Sequence, residues 1–413
     1  PLSKILTFHK FVNAGVSRVE QIVAIAKQSS LLQLVQSKNS TLEYFVRRAN
    51  KRIEVRPFVD MNGNELDSCF YYKQNDKFAF RFMSYNVLAD YLLCKDEEYP
   101  QKRFMWQWSV RRHKIIKEIK TLEPGILCLQ EVQAPLNHLQ QQGKHGYKNF
   151  SDSMNHYLQL AQDLSALGYA GLYKRKGNSQ LPSMQSNPFK PQLGNALFWN
   201  SKLFTKVSEQ YVEYAPLMAK FGHDAITTEQ LQAFQQVAII AHLKTVAQGK
   251  SIVAICTHIS CNYNQPFIQL LQVHILMTEV KAFMAHEKLS MDSTPIVLGG
   301  DFNSQPDSAV YSYMTIRAKQ MPQALSDAII GDAQGCGYMI PFQDICNASM
   351  SWRSAYEFVL REEGYTNYKP TFKACLDYIF YNRTSDVAVN AVYKAPSEPT
   401  LQIDTGCPSS RFP

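Results

Sequence analysis

Apolar residues recur along this chain in two spacings, and the spacing changes near residue 78. Before that point, residues 16–36 (VSRVEQIVAIAKQSSLLQLVQ) place them three and four apart, which predicts an amphipathic helix. Ser40-Thr41 is placed to cap a second helix running through Arg52. RIEVRPFVDMNGNELDSCFYY then predicts strands around a turn at Asn62-Gly63. From Phe78 onward, short β-branched and aromatic runs predict strands: FAFRFMSYNVL, GILCLQEV, NALFWN, VAIIAHLKTV, SIVAICTHI, PIVLGGDF and LDYIFYN. Residues 110–121 and 265–286 carry helical spacing, while 173–193 and 331–337 have loop composition. Strands alternating with helices predict a layered α/β domain with mixed sheets over residues 78–413. A small α+β extension over residues 1–77 precedes it, either a substrate-orienting or partner-binding module or a segment that simply packs against the main domain.

Composition narrows this reading only a little. Of 413 residues, 45% are hydrophobic and 19% charged, which gives ample core and excludes a disordered chain. A net charge of +8 permits a polyanionic substrate without requiring one. Nine cysteines form no CxxC pair, so neither a zinc site nor a disulfide framework is indicated. Cys128, Cys256 and Cys375 lie in apolar runs as buried thiols, which favours a reducing compartment and a cytoplasmic location. The chain opens on Pro1 rather than Met, so mitochondrial and nuclear locations stay open. No run approaches the ~20 apolar residues of a membrane span, and no membrane partner is expected.

The chemistry concentrates at strand ends. In Val297-Leu298-Gly299-Gly300-Asp301-Phe302-Asn303-Ser304 an apolar run delivers a carboxylate and a carboxamide two residues apart. Residues i and i+2 of an extended segment point the same way, so the pair can face one cation, phosphate oxygen or water. An Asx turn would produce the same pattern. Asn86 ends SYNVLAD, Glu131 follows Gln130 in CLQEV, and His258 ends ICTH. Singly, these also read as a turn residue, a solvated acid and a satisfied core histidine. Asp377, between Leu376 and Tyr378-Ile379-Phe380, is a carboxylate expected to be buried and to need a partner.

Taken in order, SYNVLAD, CLQEV, ICTHI, GGDFNS and CLDYIF resemble the endonuclease/exonuclease/phosphatase superfamily. RFMSYNVLAD followed by WQWSVRRHKII, and YTNYKPTFKACLDYIF, resemble its carbon catabolite repressor-type deadenylase branch, which holds the Angel, nocturnin and 2′,5′-phosphodiesterase relatives. The resemblance implies a four-layered α/β sandwich with two mixed β-sheets, like deoxyribonuclease I. It implies Glu131 as the main metal ligand with Asn86 beside it, and Mg²⁺ as the cofactor, with Mn²⁺ able to substitute. It further implies Asp301 orienting or deprotonating water with help from Asn303, and His258 donating to a phosphoryl oxygen. Asp377 would orient the histidine of a carboxy-terminal Ser-Asp-His motif. The sequence stops at Pro408-Ser409-Ser410-Arg411-Phe412-Pro413, just before that motif would fall. A fragment, impaired as it stands, is therefore expected.

For the substrate, the branch implies single-stranded RNA with an adenylate-rich 3′ end. Its members hold adenine between a proline and a phenylalanine. Phe372, five residues before Asp377, falls on the phenylalanine, whereas Tyr263, five after His258, stands where the proline is expected. Two aromatic faces can still clamp a base, at ~1–3 kcal/mol per stacked base, but the departure weakens the case for adenine in particular, and Tyr263 reads equally as a loop aromatic with no ligand. Gln272 falls on a structural glutamine of the following helix. Lys174, Arg175 and Lys176 form a basic run that either contacts phosphates or is a solvated cluster. The implied activity is a Mg²⁺-dependent 3′-5′ exoribonuclease releasing 5′-AMP. A 2′,5′-oligoadenylate phosphodiesterase or other nucleotide phosphatase, and an inactive RNA-binding scaffold, are the alternatives.

Overall fold

The computed structural model describes residues 32–36, 44–48, 56–66, 78–93, 107–134, 155–177, 192–221, 225–262, 265–315, 350, 352–357, 364–383 and 387–403. The chain divides into two compact units, 1–54 with 410–412 and 55–409 with 413. In the smaller unit β1 (Leu32–Gln36) and β2 (Tyr44–Arg48) form an antiparallel pair with Leu34 opposite Val46. Both segments were expected to be helical. In LQLVQ the leucines also alternate, and Tyr44-Phe45-Val46 is β-branched and aromatic, so once paired the period of two prevails. Residues 16–31 lie outside the described set.

In the larger unit β3 (Phe58–Asp60) and β4 (Glu65–Leu66) flank the expected turn, where Gly63 takes φ 85° and Asp60 Oδ1 accepts from the Asn62 and Asn64 N–H groups. The strand β3 pairs with β17 (Ala391–Tyr393), so this hairpin is tied to the far end of the larger unit.

A four-stranded sheet has the order β5-β6-β8-β7, made of Phe82–Asn86, Ile126–Ala134, Gln192–Asn200 and Tyr169–Arg175. A six-stranded sheet has the order β13-β16-β12-β11-β10-β9. These strands are Trp352–Ser354, Asp377–Asn382, Ile296–Asp301, Ser251–His258, Val237–Thr245 and Phe204–Glu213. The strands β7 and β9 were not anticipated, because half-buried and exposed positions leave them no continuous apolar run.

The sheets face each other. Ile126, Cys128 and Leu197 from one pack on Ala241, Ala254, Cys256 and Val297 from the other. The outer face of the first sheet (Leu127, Leu129, Phe198) is covered by Ile115 and Ile119 of α2 (Trp108–Leu122) and Leu160 and Leu164 of α3 (His156–Ala166). The outer face of the second (Ile240, Val253, Ile255, Leu298) is covered mainly by α6 (Pro266–His286). This is the expected four-layered sandwich. Central strands buried on both faces explain why GILCLQEV and VAIIAHL read as apolar runs rather than alternations. By length and composition α6 could cross a membrane, contrary to the sequence reading, yet most of it is buried inside the protein, as a core helix requires.

Each sheet contains one parallel pair, β5–β6 in the first and β11–β12 in the second. Parallel pairing brings carboxyl ends together, so Asn86 pairs with Gln130 and His258 with Asp301. The strand β16 runs antiparallel to β12 and begins with Asp377 opposite Asp301. Strand direction alone thus gathers the sequence's candidate residues at one end of the sandwich.

Candidate active site

On the first sheet the site depends on an interrupted ladder. The β6–β8 register shifts between Leu129 and Val132, and Glu131 inside this irregularity takes φ 57°. A bulge re-aims a side chain, and here it turns Glu131 toward the loop after β5. That loop answers with two donors: Asn86 Nδ2 to Glu131 Oε1 at 3.1 Å and the Ala89 N–H to Oε2 at 3.0 Å. The same Asn86 amide donates to Asp301 Oδ2 at 2.9 Å, joining the two sheets across the site.

On the second sheet, Gly299 and Gly300 let the strands close up. A Cβ at Gly300 would lie 2.5 Å from the Thr257 carbonyl oxygen, and one at Gly299 2.6 Å from the Phe82 ring. Asp301 then turns the chain, its Oδ1 accepting the Asn303 N–H at 2.9 Å, with Asn303 at φ 46°. This is the Asx turn, and it is also part of the site. Asn303 Nδ2 donates to the Ile259 carbonyl at 3.0 Å and to His258 Nε2 at 3.1 Å. The first acceptor has no proton, which fixes the amide orientation, makes Nε2 an acceptor and leaves the proton of the neutral ring on Nδ1. Nδ1 is buried and has no partner among the described residues. His258 Nε2 lies 3.8 Å from Asp301 Oδ2.

Charge in this cavity is unbalanced. Burial pushes the Asp301 carboxyl up to about 6, and the nearby Glu131 charge adds to this against the Asn86 and Asn303 donors and Lys176. Burial raises Asp377 well above the carboxylate range, and the charges of Asp301 and Glu131 add to it. Its Oδ1 is sealed from solvent without a partner among the described residues. Burial holds His258 well below its ordinary value, helped by the charge of Lys176. Lys176 is itself lowered by burial and drawn back up by Glu131, Asp301 and Cys261. Lys176, one residue past the end of β7, is the residue that the sequence left ambiguous, and its charge acts on Asp301 and His258.

Two glutamines of α6 fasten the loops. Gln272 Oε1 accepts from the Ser260 N–H at 2.9 Å, and Gln269 Nε2 donates to the Ser260 and Asn303 carbonyls. Gln272 has the structural place expected of it, whereas Gln269 carried no sequence signal. Phe372 is half-buried in the turn between β14 (Asn367–Tyr368) and β15 (Lys373–Ala374), a hairpin that leads through Leu376 into Asp377. Thr366 Oγ1 accepts the Leu376 and Asp377 N–H groups and ties this hairpin to β16. Tyr263 lies outside the described residues.

Ligand atoms of Glu131, His258 and Asp301 lie within 4.8 Å of one another, the candidate metal cluster among the described residues. Carboxylate oxygens that keep free lone pairs after accepting N–H bonds, gathered beside an imidazole, fit a hard divalent cation.

The profile of the Endonuclease/Exonuclease/phosphatase family matches residues 83–399, and the chain belongs to that family. The CCR4-Not complex 3′-5′-exoribonuclease subunit Ccr4 of Yarrowia lipolytica is 27% identical over 330 residues, 74% of this chain and 42% of that protein. Its counterpart in Candida albicans is 26% identical over 365 residues, 86% of this chain and 42% of that protein. The chain spans less than half the length of these curated relatives. Among solved structures, ANGEL2, a 2′,3′-cyclic phosphatase, matches with a TM-score of 0.59 at 22% identity, over 88% of this chain and 95% of that one, a likeness of fold. The relatives fall in the deadenylase branch that the motifs resemble.

Proposed function

We propose that this family member is a divalent-cation-dependent 3′-5′ exoribonuclease, using Mg²⁺, that releases 5′-AMP from adenylate-rich RNA. The observation carrying the reading is the convergence of Asn86, Glu131, His258, Asp301 and Asn303 at the carboxyl ends of two parallel strand pairs. The exoribonuclease names of the Ccr4 relatives support the reaction class.

In this reading Glu131, with Asn86 beside it, would hold the cation, which would supply positive charge to offset that developing on the phosphate. Asp301 takes the proton of the attacking water, and a carboxyl poised near 6 suits that task near neutral pH. The unpartnered Nδ1–H of His258 donates to a nonbridging phosphoryl oxygen. Lys176 adds positive charge on the same side. Phe372 and Tyr263 stack a base.

The test incubates the full-length protein with Mg²⁺ or Mn²⁺ and 3′-hydroxyl oligoadenylate, beside 2′,5′-linked adenylate and oligonucleotides ending in 2′,3′-cyclic phosphate. Stepwise shortening with 5′-AMP release is expected. Hydrolysis confined to either of the other two substrates would overturn the linkage assigned here, and no hydrolysis of any would leave a binding scaffold.

A further inference from the structure

The carboxylate of Glu131 is aimed by a loop that is itself unfavourable. Leu88 has φ 49°, in the left-handed region that costs a non-glycine residue ~1–2 kcal/mol. That twist turns the next N–H, of Ala89, onto Glu131 Oε2. Something must hold the loop in this shape. Asn86 Oδ1 accepts the Leu88 N–H at 2.9 Å, and the Gln130 carbonyl accepts the Val87 N–H at 3.1 Å. Further support comes from α2. The guanidinium of Arg111, 1% exposed, donates to the Val87 carbonyl, to the Leu88 carbonyl at 2.6 Å and to Asp90 Oδ1. Asp90 is held in turn, its Oδ2 accepting the Trp108 N–H at 3.1 Å. Trp108 lies flat on His156, with ring centroids 3.8 Å apart and planes 8° from parallel.

We propose that Arg111 is a positioning residue for the cation-binding carboxylate: its planar fork pins two consecutive carbonyls, and the peptide between Leu88 and Ala89 transmits that geometry to Glu131. The inference rests on the reading of Glu131 as the cation ligand. A lysine presents a single point charge and cannot span the same acceptors. Arg112, next along the helix, pairs with Asp163 instead and makes no hydrogen bond to this loop among the described residues, so it serves as an internal control.

The experiment measures Mn²⁺ binding to the metal-free full-length protein by calorimetry, together with thermal midpoints. Arg111→Lys is expected to weaken Mn²⁺ binding by about 10–100-fold, the usual effect of losing an outer support of a ligand, while Arg112→Gln leaves it unchanged. If Arg111→Lys does not fold, Leu88→Val is read in its place. A β-branched residue disfavours the left-handed region, so it mis-sets the loop with Arg111 intact, and the same weakening is expected. A folded Arg111→Lys, or in its place Leu88→Val, that binds Mn²⁺ as the wild type does would overturn the positioning role alone. A wild type that binds no Mn²⁺ would overturn the cation reading and this inference with it.

Discussion

Glu131, on the four-stranded sheet, has both carboxylate oxygens engaged by N–H donors, and the loop supplying them is braced by a buried arginine. Asp377 Oδ1 and His258 Nδ1, on the six-stranded sheet, are buried without partners among the described residues, and Asp301 is pushed up to about 6. Asp301, like Glu131, accepts an N–H donor on each oxygen, so the contrast between the sheets rests on the sealed atoms of Asp377 and His258. Where fixed N–H donors meet both oxygens of a carboxylate, its geometry is set. Where polar atoms are sealed and unpaired, protonation is displaced and a bound species completes the hydrogen bonding. In the proposed reading Glu131 belongs to a holding half, and Asp301, His258 and Asp377 to a reacting half.

The largest test of the contrast removes one charge from each side. Asp301→Asn is expected to lower turnover by ~10²–10⁴-fold, the span of a general base, and yet to stabilise the metal-free fold. The folded carboxyl sits at about 6 against an ordinary 3.8, so above pH 6 both states are ionised and the burial cost is fully present. Relieving it is worth roughly 3 kcal/mol at pH 7.5, offset by ~1–3 kcal/mol because a carboxamide turns an NH₂ group toward Asn86 Nδ2 or the Asn303 N–H, and the pH-dependent part disappears as pH falls from 6 toward 3.8. His258 has the opposite sign, since its depressed value costs stability as pH falls below its ordinary 6.5. The reading is therefore the difference between variant and wild type at each pH.

Glu131→Gln should do the reverse on the other sheet. A carboxamide offers one oxygen, so either the Ala89 N–H or Asn86 Nδ2 meets an NH₂ group, and denaturant melts should show a loss of ~1–3 kcal/mol. A stabilised Glu131→Gln would erase the distinction between the halves. Lys176→Met should have a smaller effect, raising KM about tenfold (~1.4 kcal/mol) if Lys176 meets substrate phosphate. Its charge also holds Asp301 down, so the acid limb of the rate profile should move to higher pH in this variant. An unchanged KM and limb would return Lys176 to the solvated cluster.

How much of this could be read from sequence divides along the same line. Asp301, Asn303 and His258 sit at the ends of apolar runs, where strand periodicity and pairing direction carry them into place, so the sandwich and the reacting half were legible. The holding half depends on backbone shape. Nothing in CLQEV announces that Glu131 occupies a bulge at φ 57°, or that Leu88 takes φ 49°. Arg111 looks like any arginine of an amphipathic helix until its acceptors are known. Lys176 was ambiguous because a basic run has the same composition in a cavity as in solvent. In residues 1–54 the helix expected through Gln36 fails at β1, where apolar residues two, three and four apart (Leu31, Leu32, Leu34 and Val35) satisfy both periods and only the pairing with β2 decides.

The smallest expected effect is the most discriminating for the six-stranded sheet, because it concerns a carboxylate outside the cation cluster. Asp377 is raised by burial and by the charges of Asp301 and Glu131. Asp377→Asn should therefore raise the thermal midpoint of the metal-free protein at pH 7.5 by a few degrees, ~2–4 °C for each kcal/mol relieved. The gain should shrink on acidification, as the wild-type carboxyl takes up the proton that the folded state favours. Combined with Asp301→Asn the two gains should sum to less than their parts, since each charge raises the other's cost. Full additivity would mean that the two acids do not sense each other, and the reacting half would then be two separate buried carboxyls rather than one electrostatic unit.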